Sequence, residues 1–124
     1  MNRHLKSVLV STPDLGGAWV FGSAQHGHVK TGSDLDIGLW FESAPVLDTL
    51  TTLRADLQLA LGIEAVDLVV LNDVSPITRF EAVYGRRVLC RDRTSCAAFV
   101  SLSAREYESA MALLARGLWY RSAV

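Results

Sequence analysis

Apolar residues recur along this chain with two different spacings, and each spacing predicts one kind of element. Steps of three and four residues are typical of helices, whereas alternation or a short continuous apolar run is typical of strands. The predicted helices cover residues 3–11, 45–61, 75–84 and 101–119, and the predicted strands cover residues 18–21, 33–40, 66–71 and 87–90. Because strands alternate with helices, we expect an α/β or α+β fold with helices packed on a sheet.

The clearest helix lies in the middle of the chain. Its leucines follow one another at steps of three and four residues, at Leu50, Leu53, Leu57 and Leu61. Pro45 before it and Gly62 after it are typical start and stop signals.

The strand predicted at 33–40 has two unlike faces. Asp34 and Asp36 share one face with Gly38, and leucine and isoleucine occupy the alternate positions. The apolar face is expected to pack in the core, so the acidic face must meet water or a metal ion.

The strand predicted at 66–71 is apolar on both faces, which is typical of the middle of a covered sheet. Asp67 interrupts this apolar run. Because a buried carboxylate is costly unless it is paired or bound to a metal, Asp67 is a third candidate functional carboxylate.

A phosphate-binding segment is predicted directly after the strand at 18–21. Gly22 lets the backbone approach an anion closely, and Ser23 offers a hydroxyl group near the start of a possible helix. Lys30, in the glycine-flanked loop that follows, is the first candidate for an added positive charge.

These residue types suit the transfer of a nucleotide from a nucleoside triphosphate. Three carboxylates can hold two Mg²⁺ ions, which bind the attacking and leaving oxygens of such a displacement. The Cα atoms of Asp34 and Asp36 are expected about 6.5–7 Å apart along one strand face. Asp67 is a candidate metal ligand and a candidate base for the attacking hydroxyl.

The composition limits the size, the partners and the cellular location that we expect for this protein. The chain has 124 residues, half of them hydrophobic, which suits one domain with a real core. A net charge of −1 gives no sign of broad nucleic-acid or membrane binding. We expect a cytoplasmic protein, because no apolar stretch has the length of a signal or membrane segment.

The two cysteines, Cys90 and Cys96, leave two alternatives. They are either reduced thiols near the core, which we favour, or a disulfide.

The pattern Gly22-Ser23, ten residues, then Asp34-Leu35-Asp36, with Asp67 on a later strand, resembles the polymerase-β-like nucleotidyltransferase superfamily. Within it, the chain is most similar to the minimal nucleotidyltransferase (MNT) domain. The resemblance covers about residues 18–92 and implies the fold of that superfamily, a small mixed β-sheet with helices packed on it. We expect a single domain over residues 1–124, with a core at 18–92 and a C-terminal helix at about 101–120.

The resemblance also implies a function. Short proteins of this kind are typically antitoxins paired with a HEPN-domain ribonuclease toxin, and they transfer AMP from ATP to a tyrosine of that toxin. By the same resemblance, Gly22 and Ser23 hold the nucleotide phosphates, Asp34 and Asp36 bind Mg²⁺, and Asp67 completes the active site. Neither a nucleic acid nor a membrane is an expected direct partner.

One departure keeps other functions open. Family members often carry a basic residue directly after Gly-Ser, where this chain has Ala24. The loss of that charge favours an antitoxin that acts by binding alone. A third alternative is a nucleotidyltransferase for a small molecule such as an antibiotic, although only about thirty residues follow Asp92 and such enzymes usually add a helical domain.

Overall fold

The computed structural model describes residues 2–22 and 35–123, with side chains over 3–22 and 35–117. Four helices and four strands lie in these ranges. In chain order they are α1 (Asn2–Val10), β1 (Leu15–Phe21), β2 (Leu35–Phe41), α2 (Leu47–Leu61), β3 (Val66–Val70), α3 (Pro76–Val83), β4 (Arg86–Cys90) and α4 (Arg93–Ala123). Within them, no helix combines the length and the apolar character needed to cross a membrane. The helix or loop expected between Ser23 and Gly32 lies outside the described residues.

The strands form one mixed sheet in the order β3-β2-β1-β4. β1 pairs antiparallel with both β2 and β4, and β2 pairs parallel with β3. This α+β arrangement confirms the predicted fold class. However, β3 is an edge strand, so the prediction that it lies in the middle of the sheet is wrong. Apolar residues fill it because one face packs in the main core and Val69, on the other face, packs against the smaller cluster on the second side of the sheet.

Helices cover both faces of the sheet. On the first face, α1 and α2 bury Leu5, Leu9, Leu53 and Leu57 against the odd-numbered residues of β2. On the second face, α3 and α4 bury a smaller cluster around Trp19, Phe21, Leu71, Ala82 and Phe99. Close packing of α3 on β2 requires Gly38, since a Cβ there would lie 3.0 Å from the Cβ of Ala82.

Helix α4 begins at Arg93, eight residues before the predicted start. The side chain of Asp92 accepts hydrogen bonds from the Ser95 hydroxyl at 2.6 Å and the Ser95 N–H at 2.9 Å, so it caps the first turn. These two hydrogen bonds lower the pKa of the Asp92 carboxyl, and the bond from the Ser95 hydroxyl has the larger effect. Among the side chains of α4 that the structure describes, Cys96, Phe99 and Ser103 are buried. Met111 and Leu114, which helical spacing places on one face, are exposed.

Two cysteines link β4 to α4. Cys90 at the end of the strand and Cys96 in the first turns of the helix form a disulfide. The favoured prediction of two reduced thiols is therefore wrong, although the burial expected of Cys96 is present.

Candidate active site

Asp36 and Asp67, two of the three predicted acidic residues, lie at one end of the sheet, where β1 ends and β2 and β3 begin. Asp36 is the register partner of Phe21 on one side and of Asp67 on the other. Neighbouring strands lie about 4.8 Å apart, so Asp36 and Asp67 are adjacent. Both belong to the sheet face that carries α3 and α4, because Trp40 and Val69 follow them in alternation on that face.

Gly22 lies directly against Asp36. Its φ of +70° is in the left-handed region that favours glycine. A Cβ placed on Gly22 would lie 2.5 Å from Oδ2 of Asp36. The backbone after β1 therefore passes within contact distance of the carboxylate only because residue 22 has no side chain.

Asp67 differs from its prediction in one respect. It was predicted to be a buried carboxylate, but the structure exposes it on the edge strand β3. Because Asp67 is exposed, the free-energy cost of burying a carboxylate is no longer an argument that it is functional. Its position beside Asp36 is the observation that remains.

The carboxylates fit a hard metal ion. Asp36 and Asp67 supply only oxygen ligands, which Mg²⁺ prefers, and they lie in register on neighbouring strands. Over residues 2–22 and 35–123, no group of three or more metal-ligating side chains occurs. The third predicted ligand, Asp34, lies outside the described residues, as do Ser23 and Lys30. The structure thus brings together Gly22, Asp36 and Asp67 of the predicted site.

A second feature beside Gly22 was not singled out by the sequence. An open cleft of about 490 Å³, here named the aromatic cleft, starts at Phe21 and Gly22. Its walls are formed by α3, by the residue that follows α3 and by α4, through the side chains Ile77, Phe80, Glu81, Tyr84 and Tyr107. The available signal was the pair of aromatic residues four positions apart, Phe80 in α3 and Tyr84 directly after it.

Ring contacts hold the walls of the aromatic cleft. Phe80 stacks on Tyr107 with ring centroids 4.3 Å apart, and its ring contacts Tyr84 at 5.7 Å. Tyr84 itself is 80% exposed, so most of its ring surface is available to a ligand.

The family of the chain follows from its sequence. Residues 3–94 match the family model described as Polymerase beta, Nucleotidyltransferase. The chain therefore belongs to this nucleotidyltransferase family, as the spacing of Gly22, Asp36 and Asp67 predicted. No curated protein matches the chain.

Solved structures share the fold. One chain of a toxin–antitoxin structure with AMP-PNP has a TM-score of 0.80 and 20% identity, over 99% of this chain and 98% of that chain. A chain from the tri-AMPylated Shewanella oneidensis HEPN toxin in complex with MNT antitoxin has a TM-score of 0.72 and 18% identity, over 100% of both chains. A protein proposed to be a minimal nucleotidyltransferase has a TM-score of 0.58 and 28% identity, over 68% of this chain and 87% of that chain.

Proposed function

We propose that this protein is an antitoxin that transfers AMP from ATP to a hydroxyl group, expected to be that of a tyrosine, on a HEPN ribonuclease toxin and so neutralises it. The observation that carries the proposal is the pairing of Asp36 with Asp67 beside the left-handed Gly22. The family model and the fold shared with HEPN–MNT complexes, one of them tri-AMPylated, support it.

The proposed site has a phosphate-binding part and a metal-binding part. Gly22 and Ser23 receive the phosphates of ATP, and Lys30 adds positive charge to them. Asp34, Asp36 and Asp67 are the residues that would hold Mg²⁺, two ions being expected. When bound there, Mg²⁺ supplies charge stabilisation to the phosphate oxygens.

In the proposed reaction the acceptor hydroxyl oxygen forms a bond to the α-phosphorus of ATP. The bond between the α-phosphorus and its bridging oxygen to the β-phosphate breaks, and pyrophosphate leaves. Asp67 is the candidate base that accepts the hydroxyl proton, because it lies at the exposed edge of the sheet where an acceptor can approach.

The test combines the purified chain, Mg²⁺, labelled ATP and a cognate HEPN toxin, with the mass of the intact toxin as readout. We expect one or more AMP groups on the toxin with the wild type. Asp36→Asn and Asp67→Asn are expected to reduce the rate by about a hundredfold or more. Asp56→Asn is the matched control, since Asp56 is an exposed carboxylate on α2, a helix that covers the opposite sheet face.

A toxin that stays unmodified while it binds the wild type and Asp36→Asn equally well would contradict the proposal. That result would favour neutralisation by binding alone, the function that Ala24 favours. Modification of a small molecule, with none on the toxin, would favour the antibiotic-type alternative.

A further inference from the structure

The Cys90–Cys96 disulfide joins the last residue of β4 to the first turns of α4. Neither residue belongs to the candidate active site, and the proposed transfer reaction does not use them. Cys90 is half-buried, so an external thiol can reach it, whereas Cys96 is fully buried. The bond therefore has one sulfur that is open to attack and one that is shielded.

Both the bonded and the reduced state suit this corner of the fold. The Cα atoms of the two cysteines are 6.3 Å apart, which is within the range that a disulfide spans without movement of the backbone. Each sulfur also has an acceptor for a thiol proton. Sγ of Cys90 lies 3.4 Å from the carbonyl oxygen of Asp92, and Sγ of Cys96 lies 3.6 Å from that of Gly16. The two states can therefore interconvert without rebuilding the fold.

The fold has other contacts that hold the same corner. The cysteines are only six residues apart, and a disulfide that closes so short a loop restricts the unfolded chain less than one that closes a long loop. The start of α4 is also held by the Asp92 cap and by the burial of Phe99. A purely structural disulfide would add little here, so these contacts favour a bond that can open and close.

We propose that Cys90 and Cys96 form a redox switch that sets how firmly the first turns of α4 are held on the sheet. In the reduction, the thiolate of an external dithiol attacks Sγ of Cys90, the S–S bond breaks, and Sγ of Cys96 leaves and takes up a proton. The second thiol of the reductant then attacks the mixed disulfide. Cys90 leaves as a thiol, and the reductant leaves as a cyclic disulfide. Two electrons and two protons pass to the protein, and an oxidised dithiol reverses both steps.

The switch is connected to the candidate site through α4. Near the start of this helix, Phe99 stacks on Trp40 with ring centroids 4.8 Å apart. Further along the same helix, Tyr107 forms a wall of the aromatic cleft beside Gly22. Looser first turns therefore weaken the packing that positions Tyr107. An effect on AMP transfer rests on the proposed function, whereas the switch itself does not.

The test compares the oxidised and the reduced wild type by hydrogen–deuterium exchange and mass spectrometry, without denaturant. Oxidised and reduced dithiothreitol set the two states, and alkylation followed by mass analysis counts the free thiols. In the reduced protein we expect the amides of residues 93–103 to exchange about tenfold faster, because the covalent link to β4 is gone. The amides of Leu53 and Leu57 are the internal control, since α2 covers the opposite sheet face.

Cys90→Ser is the matched variant, because position 90 is half-buried and a hydroxyl there can donate to the same Asp92 carbonyl. It is expected to exchange like the reduced wild type in both buffers. In the transfer reaction, the reduced wild type and Cys90→Ser are expected to be about threefold slower than the oxidised wild type.

Three results would overturn the switch. The first is equal exchange of residues 93–103 in the two states. The second is a bond that dithiothreitol reduces only after urea unfolds the protein, which would make the disulfide purely structural. The third is that no bond forms in oxidised dithiothreitol.

The transfer reaction tests the link to the site separately. Equal rates in the two states would overturn that link. No transfer in either state, with the expected difference in exchange, would contradict the proposed function and leave the switch standing.

Discussion

Gly22 combines a backbone conformation and a close contact that each exclude a side chain. Its φ is +70°, and a Cβ would meet the Asp36 carboxylate. Gly62, at the end of α2, has a similar φ of +66°, but a Cβ there would have no atom within 4 Å. A substitution at either glycine strains the backbone, but only a substitution at Gly22 also disturbs the Asp36 carboxylate. Comparing the two therefore separates backbone strain from damage to the candidate site.

Gly22→Ala is expected to displace the Asp36 carboxylate and to lower the rate of AMP transfer at least tenfold. Gly62→Ala is the control. Both substitutions are expected to cost about 1–2 kcal/mol of stability from the left-handed backbone, measured by urea unfolding. If Gly62→Ala reduced the transfer rate as much as Gly22→Ala, the contact with Asp36 would not be the cause.

The positions of single residues in the candidate site were predictable to different extents. The Gly-Ser and Asp-X-Asp pattern selected Gly22 and Asp36 as candidates from residue type and local spacing, and the structure places them within contact distance of each other. The exposure of Asp67 was not predictable, because it depends on which strand pairs with β3. Its proximity to Asp36 likewise arises from the parallel pairing of strands 31 residues apart.

Among the elements, α3 is fixed by one arginine. Arg79 donates from Nε to the carbonyl of Leu71 at 2.8 Å and from Nη2 to the carbonyl of Asn72 at 3.1 Å. It also forms an ion pair with Glu106 of α4 at 3.0 Å, and its side chain is only 12% exposed. Arg79 thus joins the end of β3 to the two helices that wall the aromatic cleft.

Arg79→Met is expected to reduce the free energy of unfolding by about 2–3 kcal/mol, because two carbonyls lose a charged donor. Arg105→Met, at an exposed position on α4, is the control and is expected to change it by less than about 0.5 kcal/mol. Chemical denaturation of both variants is the measurement. Equal losses in the two would show that Arg79 has no special structural role.

The cap of α4 gives an expected pH dependence. Because hydrogen bonds from Ser95 lower the pKa of Asp92 in the folded protein, the ionised carboxylate stabilises the fold at neutral pH. That contribution is lost as the pH falls from about 3.9, the usual value for Asp in an unfolded chain, through the lowered pKa. We therefore expect Asp92→Ala to be less stable than the wild type at pH 7 and the difference to shrink towards pH 3.

Urea unfolding of both proteins across this pH range is the measurement. A difference in stability that stays constant down to pH 3 would contradict the role of the ionised carboxylate. Ser95→Ala, which removes the hydroxyl donor but keeps the backbone N–H, is expected to reproduce part of the effect.

The elements themselves were largely predictable. α1, α2 and α3 lie within one or two residues of their predicted limits, because periodic leucines, Ser75 at the α3 cap and Gly62 mark them locally. The early start of α4 was missed because its first turn is held by Asp92, which the sequence presents among arginines. The buried stripe of α4 depends on its tertiary partners, which no local spacing reveals.

At the scale of the whole molecule, nucleotide binding is expected to stabilise the fold. ATP with Mg²⁺ at about a hundred times its dissociation constant should add about 2.7 kcal/mol to the free energy of unfolding. Thermal unfolding with and without nucleotide is the measurement, and EDTA should abolish the part that depends on the metal. Asp36→Asn is expected to lose most of this stabilisation, whereas Asp56→Asn should retain it.

Two results would contradict a metal-dependent site at Asp36. One is that ATP raises the Tm of the wild type as much with EDTA as without it. The other is that ATP with Mg²⁺ raises the Tm of Asp36→Asn as much as that of the wild type. This measurement needs no toxin. It therefore tests the binding of the donor separately from the identity of the acceptor.

The sequence by itself determined the order of helices and strands, the fold class and the choice of candidate site residues. These follow from periodicity, turn-forming residues and the short-range pattern around Gly22 and Asp36. Only the tertiary structure decided the edge position of β3, the exposure of Asp67, the Cys90–Cys96 disulfide and the aromatic cleft. The edge position, the exposure of Asp67 and the cleft depend on contacts between segments far apart in the chain, which local patterns do not encode. The disulfide joins cysteines only six residues apart, and it depends on how the end of β4 and the first turns of α4 are placed.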